Sequence, residues 1–82
     1  METKTKKEIL ETSLAAREQE VLYYQINIDN YTLALNAIDA MSAEERAELS
    51  EFAGQLRNLL TSEKFEQKKA KLMLSVVKQQ LE

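Results

Sequence analysis

Apolar residues recur along the first half of the chain at alternating intervals of three and four. Positions 14, 17, 21, 24, 28, 31, 35 and 38 read Leu, Arg, Val, Tyr, Ile, Tyr, Leu, Ile. That spacing keeps side chains on one face of an α-helix, and it predicts a first helix over about residues 5–40. Its most apolar stretch, Val21 to Met41, holds all three tyrosines and only two charges, Asp29 and Asp39. A β-hairpin turning at Asp29-Asn30 competes for Ile26, Ile28, Tyr31, Leu33 and Leu35. The helical period wins because it continues through Ile38 and because that turn lacks the favoured glycine.

The second half repeats the pattern. Positions 49, 53, 56, 60, 63, 67, 70, 74, 77 and 81 read Leu, Ala, Leu, Leu, Glu, Gln, Ala, Leu, Val, Leu, which predicts a second helix over about residues 43–81. Two start signals bracket the design: Thr5 with Glu8, and Ser42 with Glu45, each with the spacing of a capping box. The tight turn between the helices is placed at about 40–42.

Pairing residues equidistant from Ser42 sets Leu35 against Leu49, Tyr31 against Ala53, Ile28 against Leu56, Tyr24 against Leu60 and Val21 against Glu63. It also sets Arg17 against Gln67, Leu14 against Ala70 and Leu10 against Leu74. The expectation is one all-α domain over residues 1–82, an antiparallel helical hairpin of two long helices. A three-helix monomer is the alternative, with helices at about 5–40, 43–60 and 63–81, if Thr61 or Ser62 caps a new helix.

One seam does not use all the apolar residues. Leu22, Ile26, Leu33, Ala37 and Ala40 form a second stripe on the first helix, and Tyr23 lies off the core stripe as well. The second helix has its own surplus in Phe52, Leu59, Phe65, Leu72, Met73 and Val76. In the three-helix version these residues pack within the chain. In the hairpin version they call for a second chain, since large apolar patches are seldom left in water, and a homodimer that completes a four-helix bundle is the commonest solution. Leu22, Tyr23, Ile26 and Leu33 are therefore the candidate partner-binding residues, with Tyr23 as the anchor.

Composition then removes most chemistry. The 82 residues include no Cys and no His, so thiol catalysis, disulfides, the usual zinc ligands and the commonest general base are missing. Acidic pairs such as Glu44 and Glu48 have metal-compatible spacing, but without histidine the signal is weak. We expect no enzyme, no cofactor and no metal. The formal charge of −3 argues against general affinity for nucleic acid. No signal peptide is read at the start, and Val21 to Ile38 carries too many amides to span a membrane, so a cytoplasmic location is expected.

Charge is nonetheless uneven. Residues 21–62 hold two basic and six acidic residues, whereas the two ends hold nine basic and eight acidic. Glu44, Glu45 and Glu48 make an acidic tip that could meet a basic partner, or simply suit a helix N-terminus. The functional expectation is a non-enzymatic, self-associating protein–protein interaction module, with room for one other protein partner. The alternatives are a small acidic antagonist, such as a virus-encoded inhibitor of a host nucleic-acid-handling complex, and an RNA-binding bundle using the lysines of the open end.

Single residues sharpen this picture. Tyr24 and Tyr31 read as core aromatics. Arg17, on the core stripe, reads as an edge residue with its stem along the seam or as a polar layer fixing register. Gly54 reads as either a close approach of the helices or a tolerated cost.

Overall fold

The computed structural model of the chain describes residues 3–82. Three helices follow in order, α1 (Lys6–Asp39), α2 (Ala43–Glu48) and α3 (Ser50–Leu81). The two long helices pack along each other in opposite directions, so the architecture is the expected helical hairpin, drawn out to 63 × 23 × 16 Å.

Both start signals work as helix caps. Thr5 is extended, and its hydroxyl accepts the Glu8 N–H at 3.2 Å while donating to the Glu8 carboxylate at 3.3 Å. Ser42 is likewise extended and accepts the Glu45 N–H at 3.2 Å. Each hydroxyl satisfies a backbone donor that the first turn of a helix leaves free. Between them, the Ala40 N–H reaches Asn36 O at 3.1 Å and the Met41 N–H reaches Ile38 O at 3.0 Å. This tight ending turns the chain without a positive φ anywhere among the described residues.

The second helix differs from expectation in one place. It is interrupted at Leu49, whose φ of −99° and ψ of 7° leave the helical region. The Leu49 N–H still bonds to Glu45 O at 3.1 Å, and Leu49 O accepts from Ala53 N–H at 2.8 Å, so the backbone bends without losing its ladder. Leu49 packs there against the cluster of Ile38, Ala53 and Leu56, to which Tyr31, Ala34, Leu35 and Met41 also belong. The alternative break near Thr61-Ser62 does not occur. α3 runs straight through it, and the Thr61 hydroxyl donates to Arg57 O one turn back at 3.0 Å, satisfied inside the helix instead of capping a new one.

Every stripe position from Leu10 to Ile38 and from Leu49 to Leu81 is buried or half-buried. The pairing of the two stripes is shifted, however. Gln67 Nε2 donates to Val21 O at 3.2 Å and to Gln25 Oε1 at 2.9 Å, where symmetry about Ser42 sets it against Arg17. Asn27 Nδ2 likewise takes Glu63 Oε2 at 3.3 Å. The contacts lie about six residues along α1 from the symmetric pairing, nearly two steps of the stripe. The reason lies at the turn: centring on Ser42 sets Ile38 opposite Arg46, whereas the observed register gives Ile38 the apolar company of Ala53 and Leu56 and leaves it 7% exposed.

The seam is thin. Among the described residues the buried apolar set is Ile28, Ile38, Ala53, Leu56, Ala70 and Val77, and no side chain is completely enclosed. Tyr24 and Tyr31, expected in the core, are only half-buried, because a two-helix seam has no third wall to close over an aromatic ring.

Candidate interaction surface

The apolar candidates on α1 all face water. Leu33 is 65% exposed, Tyr23 62%, Leu22 59% and Ile26 51%. Helical geometry explains this: they sit off the 3-4 stripe that meets α3, and no third helix returns to cover them. The Tyr23 ring stands edge-on to Tyr24 with centroids 5.9 Å apart and planes at 66°, so its near side is already packed and its far side is free.

Glu44, Glu45 and Glu48 are exposed at the start of α2. Their position in the first turns of a capped helix suits the positive end of its dipole. Leu22 and Tyr23 lie roughly 25 Å of helix away from this turn, whereas Leu33 lies within about 10 Å of it.

A third group emerges on α3. Phe52, Leu59 and Met73 lie at seven-residue multiples on the flank of the seam, each exposed by between 40 and 49%. The sequence shows them as part of the apolar surplus of the second helix, but the residues singled out there for partner binding are Leu22, Tyr23, Ile26 and Leu33 with Glu44, Glu45 and Glu48. Small residues of α1 sit on the same flank, Ser13 and Ala34 among them, both half-buried.

Midway along this flank the polar residues are internally paired. Arg17 Nη1 lies 3.3 Å from Glu20 Oε2, Lys69 Nζ 2.8 Å from Glu66 Oε1, and Asn27 holds Glu63. Lys69 also stands 4.9 Å from the centre of the Phe65 ring, a cation–π contact. Arg17 is therefore an edge residue tied to its own helix, and the buried polar contact across the seam belongs to Gln67. Tyr24 faces this band. Loss of hydration at the seam holds its hydroxyl above the ordinary tyrosine range, and the negative charges of Glu20, Glu66 and Glu63 push the same way, with Lys69 opposing them.

The opposite flank has another character. Arg57, Lys64, Lys71 and Lys78 repeat every seven residues along α3, all exposed, alongside the row of α1 that carries Glu11 and Glu18. None of these four cations lies within ion-pair distance of an acid among the described residues. The rows are complementary in sign, which is the arrangement that fixes partner and direction in coiled coils.

Among the described residues, no three acidic side chains gather as a metal-binding group, and no helix is long and apolar enough to cross a membrane. Compared with known protein families, curated proteins and solved structures, the chain finds no match.

Proposed function

We propose that the protein is a non-enzymatic interaction module that acts as a self-associated helical bundle. The observation that carries this reading is the amount of surface left in water. The chain exposes 6374 Å², whereas a compact monomer of 9.4 kDa exposes about 5,000 Å². The surplus is about 1,400 Å² per chain, and it includes large side chains on both long helices. Two chains each covering that surplus bury about 2,800 Å² together, inside the range of obligate homodimers.

Other features support the same reading. The sequence offers no His or Cys for catalysis, and the exposed Leu22, Tyr23, Ile26 and Leu33 are available for contacts with a further protein. The RNA-binding reading has less support, because the basic row of α3 runs beside the acids of α1 and their fields partly cancel. The acidic tip of α2 is accounted for by its own helix start.

Association makes stability depend on concentration. The thermal midpoint rises with chain concentration when the bundle is the folded species. A midpoint that stays constant over a wide dilution series contradicts self-association.

A further inference from the structure

We infer that the second copy docks on one flank of the hairpin, the side bearing Phe52, Leu59 and Met73, and not on the outward face of α1. The inference rests on the self-association proposed above and specifies where it happens.

A contact across the seam and helical spacing fix which residues share this flank. Asn27 of α1 bonds Glu63 of α3, and Glu66 stands three residues on from Glu63, on the neighbouring row of α3; the pull of both Glu20 and Glu66 on the Tyr24 hydroxyl agrees with this. Stepping by sevens from Glu66 along α3 reaches Leu59, Phe52 and Met73; stepping from Glu20 and Asn27 along α1 reaches Ser13 and Ala34. The α1 row is small at Ser13 and Ala34 and polar at Glu20 and Asn27, while the α3 row is large at Phe52, Leu59 and Met73. That contrast leaves shallow hollows beside protruding side chains, the relief that interlocks when two such surfaces meet.

The choice between surfaces follows from exposure and charge. Phe52, Leu59 and Met73 are 49, 46 and 40% exposed, half sunk into the edge of the seam, whereas Leu33 and Leu72 point outward at 65%. A second hairpin laid on this flank extends the existing core, and it uses rows from both helices, as a four-helix bundle requires. Apposing the other flank of two copies takes Arg57, Lys64, Lys71 and Lys78 out of water, and none of these four cations carries an ion pair of its own into the interface. The outward face of α1 supplies one helix only, too narrow for a surplus of about 1,400 Å² per chain.

A two-fold dimer presents the same patch from each copy, so the paired charges at mid-flank meet their own equivalents. Arg17 with Glu20, and Lys69 with Glu66, enter the interface already neutralised. Leu22, Ile26 and Leu33 remain on the outside of the assembly.

Sedimentation equilibrium of two double variants tests the assignment. Leu59→Asp with Met73→Asp is expected to give the mass of one chain, while Ile26→Asp with Leu33→Asp keeps the mass of two. A second measurement covers the case in which the first variant fails to fold. The chain has no native cysteine, so Leu59→Cys and Leu33→Cys each carry a single thiol. Alkylation of Leu59→Cys is expected to be several-fold slower than that of Leu33→Cys, with the gap closing on dilution.

Equal alkylation rates at all concentrations overturn the assignment. So does dissociation by the Ile26 and Leu33 changes together with survival of the dimer in the Leu59 and Met73 variant, although self-association itself then stands. A wild-type chain that is monomeric throughout removes both.

Discussion

Gly54 stands inside α3, and a β-carbon built on it meets nothing within 4 Å. The close-approach reading of this residue therefore fails, and what remains is the backbone entropy that glycine loses in a helix. Gly54→Ala is expected to raise stability by about 1 kcal/mol, measurable by urea unfolding; a loss of stability contradicts the open space seen there. Tyr24 makes a prediction in pH. Its folded pKa is raised above 10.0, so the fold favours the neutral phenol. That contribution is complete below the unfolded value and is lost as pH rises through the folded one. Stability should decline above about pH 10, and Tyr24→Phe should flatten that decline; an unchanged alkaline limb in the variant contradicts the assignment. The sequence puts Tyr23 off the core stripe, where its ring is indeed exposed, and Tyr24 and Tyr31 on it, where both are half-buried and Tyr31 packs against the core cluster. Stripe position tells which way a side chain points, not how many neighbours wait there.

The helices were legible because their signals are local. Thr5 and Ser42 cap where their spacing to Glu8 and Glu45 predicts, and the 3-4 stripe marks the buried face residue by residue. The register was not, because it depends on which apolar residue closes the turn, and equidistance from Ser42 ignored what Ile38 would face. The bend at Leu49 was hidden too: no proline or glycine marks it, and it accompanies packing against Ile38, a tertiary contact. Thr61 shows the opposite error, a residue type that caps helices elsewhere but here bonds back within α3. Replacing each hydroxyl separates the two cases. Ser42→Ala should cost about 1 kcal/mol through loss of a cap, whereas Thr61→Ala should be neutral or gain a few tenths, since alanine is the better helix former. Equal losses at both sites in chemical denaturation contradict the continuous α3.

The whole molecule is an elongated object for its size. Its radius of gyration is 18.7 Å, against about 12 Å for a compact domain of this length, and its core is a single seam between two helices. Chains this short bury only a modest fraction of their surface even when globular, and one stretched into a hairpin buries less. Pairing two hairpins side by side would thicken the core without changing either fold, and shape, exposed area and the apolar flank through Leu59 are the grounds on which association is proposed. The candidate surface was half legible: the surplus of apolar residues is visible in the sequence, but which of them line one side depends on how α3 sits against α1. Sedimentation equilibrium of the wild-type chain near neutral pH, over a wide range of concentration, decides whether hairpins pair. A mass of twice 9.4 kDa is expected at high concentration, falling toward one chain only on dilution. A mass of one chain at every concentration, with full helicity retained, contradicts the pairing.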